Sequence, residues 1–184
     1  MITLSNDILT GRLLRLRAME PEDADLLYAW ENDSNVWQVS NTIVPFSRFT
    51  LRDYVETASR DIYAARQLRL MIEVLPGKGL SQTIGAADLF NFEPIHLRAG
   101  IGILVITPHR RKGYAAEALA ILIRYAFNVL LLHQLYCETG ADNAAAIRLF
   151  NNAGFTHCGT RKEWNNTGRS WQDEWMFQLI NRLP

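Results

Sequence analysis

The sequence predicts a single mixed α/β domain spanning 1–184, and three features of it do so. Short alternating or β-branched runs recur along the chain. A continuous apolar run, Ile101-Gly102-Ile103-Leu104-Val105-Ile106, has the character of a central strand covered on both faces. From Ala115 onward, apolar residues recur at Ala118, Leu119, Leu122, Ile123, Ala126 and Phe127, the helical stripe of a long segment lying on a sheet. With 184 residues, 48% hydrophobic and 21% charged, the chain is long and apolar enough to build one sizeable core.

Taken in order, Arg12-Leu13-Leu14-Arg15-Leu16-Arg17 alternates as a first strand, and Pro21 opens a helix through about Glu31 with Leu26, Leu27 and Trp30 on one face. Thr50 with Asp53 three residues on resembles a capping box, so a second helix is expected from there to about Tyr63. Leu68 to Leu75 and Thr83 to Phe90 form a hairpin about a turn at Pro76-Gly77-Lys78-Gly79. After the central strand, ended by Pro108, and the long helix come a short strand at Leu135 to Thr139 and a helix from Asn143 to Ala153 stopped by Gly154. Two closing strands follow, Thr156 to Glu163 and Gln172 to Leu179.

Lys+Arg and Asp+Glu balance at 19 each, so no excess of positive charge exists to drive nucleic-acid binding. No apolar stretch approaches the roughly 20 residues of a membrane span. Met1 to Asp7 lacks the basic start and apolar run of a signal peptide, so a cytoplasmic protein with reduced thiols at Cys137 and Cys158 is expected. The four His and two Cys show no metal-ligand spacing.

The most informative stretch joins the buried strand to the long helix: Thr107-Pro108-His109-Arg110-Arg111-Lys112-Gly113-Tyr114-Ala115. Backbone N–H groups at a helix start lack intrahelical partners, and the helix dipole adds partial positive charge there, so an anion is stabilised. Gly113 lets the backbone approach a phosphate, Ala115 leaves room, and Arg110, Arg111 and Lys112 add charge. A basic loop of this kind is also a common solvated surface turn.

The spacing Arg110-x-x-Gly113-x-Ala115 resembles the Q/R-x-x-G-x-G/A motif of the GCN5-related N-acetyltransferase (GNAT) superfamily. Asn143-Ala144-Ala145-Ala146-Ile147-Arg148-Leu149-Phe150-Asn151-Asn152-Ala153-Gly154-Phe155 looks like its second landmark, an Asn opening a helix that a Gly-Phe follows. The likeness covers Leu13 to Leu179 and is closest to the branch of spermidine acetyltransferases and ribosomal-protein N-terminal acetyltransferases. It implies a mixed, mostly antiparallel sheet splayed at its middle strands and flanked by helices, with acetyl-CoA as co-substrate wedged in the gap. The backbone of Leu104, Val105 and Ile106 would pair with the pantetheine arm. Arg110, Arg111, Lys112, Gly113, Tyr114, Ala115 and Ala116 would cap the pyrophosphate, and Asn143 and Phe150 would border the cofactor. The implied reaction is direct attack of a primary amine in a ternary complex.

Two positions depart from the family pattern. Phe150 stands where many relatives place a proton-donating Tyr, which leaves water, Cys137 or a hydroxyl from elsewhere as the acid, or an unprotonated thiolate. Gly100 stands where this branch often carries Glu, so Asp88 and Glu93 become the candidate bases, and His96 a candidate relay; each is equally an ordinary surface or loop residue.

Glu20, Glu22, Asp23, Asp25, Glu31 and Asp33 form a run without Lys or Arg that would steer a cationic acceptor such as a polyamine, although first-turn acids are favoured by any helix dipole. Trp30, Trp37, Trp164, Trp171 and Trp175 would fill the core or shape the acceptor cleft. The competing readings are a peptide or ribosomal-protein N-terminus as acceptor, an aminoglycoside, and a catalytically silent acyl-CoA-binding module. A homo-oligomer stays open.

Overall fold

The computed structural model of the chain describes residues 8–33, 36–37, 44–57, 61–76, 81–168 and 170–182. In chain order the elements are β1 (Leu14–Arg17), α1 (Asp23–Glu31), α2 (Arg48–Thr57), α3 (Ile62–Ala65), β2 (Leu68–Val74), β3 (Gln82–Glu93) and β4 (Arg98–Val105). A short 3-10 turn (Thr107–His109) leads to α4 (Tyr114–Asn128), β5 (Gln134–Gly140), α5 (Ala144–Asn152), β6 (Thr156–Asn166) and β7 (Trp171–Ile180). The expected turn at Gly77 to Gly79 and the segment Met1 to Asp7 lie outside the described residues.

The second helix departs from expectation. It begins at Arg48, because Ser47 and not Thr50 sits at its start: the Ser47 Oγ accepts from the Thr50 amide at 3.0 Å. It ends at Thr57, and Ile62–Ala65 is a separate turn of helix capped by Asp61. The central strand starts at Arg98 rather than Ile101, since Arg98 and Gly100 pair on both sides and Ala99 pairs with β5.

The strands form one seven-stranded sheet in the order β1-β2-β3-β4-β5-β7-β6. Every neighbouring pair is antiparallel except β4 and β5, which are parallel. That parallel pairing is short, running only from Arg98↔Gln134 to Gly100↔Tyr136. Beyond it β4 continues to Val105 against β3 alone, and β5 continues to Gly140 against β7 alone. The sheet is therefore splayed at its middle strands.

Opposite faces carry different helices. On one, α4 buries Ala118, Leu119, Ile121, Leu122 and Ala126 in a cluster with Leu14, Leu16, Ile72, Ile84, Ile101 and Val105, while Ile123 and Phe127 are only partly covered. Leu119 and Leu122 are fully buried, and each contributes about 2 kcal/mol by removal from water. On the other face α1 and α2 pack Ala24, Leu27, Trp30, Leu51 and Val55 on Met71, with Leu104 and Ile106 at the margin.

Candidate active site at the splayed strands

The gap between β4 and β5 opens toward the start of α4. The Ile106 N–H bonds the Ile84 carbonyl at 3.0 Å. By the alternation of an antiparallel ladder, Ile103 and Val105 then turn their backbone N–H and C=O groups into the gap, while Leu104 and Ile106 turn theirs to β3. Of the expected strand-like partners for an arm in the gap, Val105 faces it directly, and its carbonyl accepts from the Arg110 Nε at 2.9 Å.

At the mouth of the gap, the first bond of α4 runs from the Glu117 N–H to the Gly113 carbonyl at 3.1 Å. The amides of Tyr114, Ala115 and Ala116 are left without a partner inside the helix. Gly113 stands at φ 84°, which an L side chain rarely adopts, and a Cβ there would meet nothing within 4 Å. The loop also holds Arg111 at φ 62°, an uncommon conformation for a non-glycine residue. Arg110, Arg111 and Lys112 are exposed, and the Nδ1 of His109 is buried without a hydrogen-bond partner. Open space, aligned donors and exposed cations suit a pyrophosphate.

Asn143 caps α5, its Oδ1 accepting from the Ala146 amide at 3.1 Å. Phe150 is a core residue, 6% exposed and edge-on to Phe155 at 5.2 Å. Cys137 points into the same core, where burial pushes its thiol up. Cys158 is exposed on β6.

Strand alternation gathers Asp88, Phe90, Gly100, Gly102, Tyr136 and Glu138 on the α1/α2 face, since the pairs Asp88↔Gly102, Phe90↔Gly100 and Gly100↔Tyr136 stand side by side. On the β4 bank, Arg69 donates to Asp88 at 2.7 Å and to Glu31 at 2.8 Å, under the ring of Tyr54. Burial opposes the Arg69 charge, yet Asp88 and Glu31 hold it firmly protonated. On the β5 bank, Arg161 joins Glu138 at 2.8 Å to Glu174 at 2.6 Å and lies against Trp164. Each bank thus carries two carboxylates on one guanidinium, an excess of negative charge beside the gap.

Asp88 faces the part of β4 that has left β5. Glu93 does not: it forms a two-point ion pair with Arg98 at 3.0 Å for each bond, and Arg98 precedes Val105 by seven residues, roughly 23 Å along the strand. His96 is exposed in the turn at that same closed end. The acidic run of α1 is not a free rim either, because Asp23, Asp25 and Glu31 are taken up by Arg17, Arg48 and Arg69, while Glu20 and Glu22 stay exposed. Among the tryptophans, Trp30 is buried and Trp164 and Trp171 are exposed. Tyr136, Glu138 and Arg161 were not singled out by motif. The alternation Leu135-Tyr136-Cys137-Glu138-Thr139 places Tyr136 and Glu138 on one polar face, a signal the sequence does carry.

Among the described residues no helix is long and apolar enough to cross a membrane, and no group of His, Cys, Asp and Glu is arranged to hold a metal ion.

The family model for the Acetyltransferase (GNAT) domain matches residues 13–156. The chain is 30% identical over 170 residues to p20 of Bacillus licheniformis, an uncharacterised N-acetyltransferase, covering 92% of this chain and 93% of that one. It is 26% identical over 149 residues to spermidine N(1)-acetyltransferase of Vibrio cholerae, covering 79% and 80%. Among solved structures, the V. cholerae spermidine N-acetyltransferase in complex with CoA and spermine superposes with a TM-score of 0.82 over 92% of this chain and 96% of that one, at 23% identity, a likeness of fold.

Proposed function

Since the chain belongs to the GNAT acetyltransferase family and is an N-acetyltransferase, we propose that it moves the acetyl group of acetyl-CoA to a cationic primary amine, with a polyamine as the leading acceptor. The observation that carries this is the divergence of β4 from β5 beyond Gly100↔Tyr136, with the unpartnered amides of α4 at its mouth. Acetyl-CoA supplies the activated acyl group. Tyr114, Ala115 and Ala116 offer their N–H groups to the pyrophosphate, with charge from Arg111 and Lys112, and Val105 offers its backbone to the pantetheine arm. Asn143 and Phe150 shape the far wall through α5.

The two carboxylate pairs, Asp88 with Glu31 and Glu138 with Glu174, draw an ammonium group to the α1/α2 face, and Asp88 takes its proton directly or through water to leave a nucleophilic amine. The relative crystallised with spermine supports a polyamine as acceptor. A dodecameric spermidine N-acetyltransferase with a TM-score of 0.76 makes an oligomer the assembly to look for by sedimentation.

The test is release of CoA thiol from acetyl-CoA over polyamines, aminoglycosides and peptides with free N-termini, beside calorimetric titration with acetyl-CoA. Turnover is expected with a cationic primary amine, at a rate rising with pH through neutrality as the amine loses its proton. Tight acetyl-CoA binding without thiol release from any amine would favour the silent binding module instead.

A further inference from the structure

On the acetyl-transfer reading just given, we infer that Tyr136 is a catalytic residue, the group that passes a proton to the departing sulfur. Tyr136 stands opposite Gly100 in the last paired position before β4 and β5 separate. Its ring meets Phe90 edge-on at 6.1 Å, and the Phe90 ring lies across Gly100. Because Gly100 carries no side chain, nothing of β4 stands between this aromatic pair and the strand backbone at the point of divergence.

The Tyr136 oxygen accepts from the Asn91 Nδ2 at 3.3 Å, while its own O–H proton has no acceptor among the described residues. An oxygen that already accepts from an amide is steadied when it gives its proton away. The other groups around the gap are poorer donors. Phe150 has no proton to give, and Cys137 and Thr139 lie buried on the opposite face of β5, Cys137 with its thiol pushed up by burial. Tyr54 lies against Arg69 under α1 and α2, and burial raises its phenol.

The proton balance closes on Tyr136. As the C–N bond forms to the acyl carbon and the C–S bond breaks, the sulfur keeps the bonding pair and Tyr136 gives it the phenolic proton. The phenolate oxygen, held by the Asn91 N–H, then takes one of the two protons on the newly acylated nitrogen. Nitrogen has lost one proton, sulfur has gained one, and the phenol is restored.

Tyr136→Phe keeps the ring and removes only the hydroxyl. It is expected to lower kcat by about 10²-fold, with the acetyl-CoA Kd and the melting temperature nearly unchanged. A second readout needs no turnover. At about pH 9, where a free thiol is largely ionised and a phenol ordinarily is not, wild-type protein is expected to bind CoA about tenfold more tightly than desulfo-CoA, because the phenol donates to the thiolate, and Tyr136→Phe is expected to bind both alike. Asn91→Ala, an exposed change, is expected to show part of both losses. Turnover of Tyr136→Phe within about threefold of wild type, or an unchanged preference for CoA over desulfo-CoA, overturns the assignment of Tyr136 alone. Wild-type protein that releases no thiol with any amine overturns the acetyl-transfer reading and this role with it.

Discussion

The ring of Phe90 occupies the space a side chain on Gly100 would need: a Cβ on Gly100 would lie 2.7 Å from the Phe90 Cδ2 and nearer still to the Cε2. A carboxylate side chain at this position, which the family resemblance leads one to expect, would have to displace the Phe90 ring. Gly100→Ala is expected to destabilise the protein by about 2 kcal/mol through overpacking, measured by chemical denaturation. Phe90→Leu in the same chain is expected to recover most of that loss. A Gly100→Ala variant as stable as wild type would show that the ring moves aside freely.

Gly113→Val is expected to weaken acetyl-CoA binding tenfold or more, which is about 1.4 kcal/mol or above. At φ 84° a β-branched residue is strained, and its side chain would enter space that the glycine leaves open at the start of α4. Gly113→Asn separates the two causes, because Asn tolerates this backbone conformation yet still fills the space. Calorimetric titration of both folded variants decides it, and an unchanged Kd in both would remove the loop from the cofactor site.

Much of this architecture was legible because it rests on short-range patterns. The apolar run Ile101 to Ile106, the stripe from Ala118 to Phe127 and the Asn143 cap each follow from residues within a few turns of one another. Element ends were less legible: Ser47 caps the second helix because its hydroxyl meets the Thr50 amide, a competition between neighbouring hydroxyl residues that spacing alone does not resolve. The candidate site was least legible. Asp88 and Glu93 look equivalent in sequence, and only the register separates them, setting Asp88 against Gly102 beside the gap and Glu93 against Arg98 at the closed end. The local alternation puts Tyr136 and Glu138 on one face, but that Tyr136 stands where the middle strands part follows only from a parallel strand after α4 that pairs with β4 for three positions and then stops.

Asp23 makes the stability of the fold depend on pH. Burial raises its carboxyl, but hydrogen bonds from Arg17 and from the Glu20 amide prevail and hold it below its ordinary 3.8. The native carboxyl thus binds its proton more weakly than the unfolded one. The stabilisation is fully present above about pH 4 and is lost as pH falls through the lower native value. Asp23→Asn is expected to cost about 2 kcal/mol at neutral pH, the worth of a hydrogen bond to a charged group, and to flatten the acid limb of stability. Denaturant unfolding from about pH 2 to neutrality measures both, and an acid limb as steep as in wild type would place the titration elsewhere.

The last expectation separates the two carboxylates by their positions along β4. Asp88 stands opposite Gly102 beside the gap, in contact with Arg69, whereas Glu93 is bound to Arg98 on the side of Gly100 where β4 and β5 are still paired. A group can move a substrate proton only within hydrogen-bond reach or through one water. Asp88→Asn is therefore expected to lower kcat by about 10²-fold or more while acetyl-CoA affinity stays nearly unchanged. Glu93→Gln is expected to keep kcat within about threefold, since the change touches only the ion pair at the closed end. Steady-state kinetics with the best amine from the acceptor panel, beside calorimetry with acetyl-CoA, reads out both variants. If Asp88→Asn raises the Michaelis constant for the amine and spares kcat, the carboxylate attracts the ammonium without taking its proton, and water completes the deprotonation. If Glu93→Gln is the damaging change, the reacting amine must lie at the closed end of the strands, and the placement of the acceptor beside Asp88 and Glu138 is wrong.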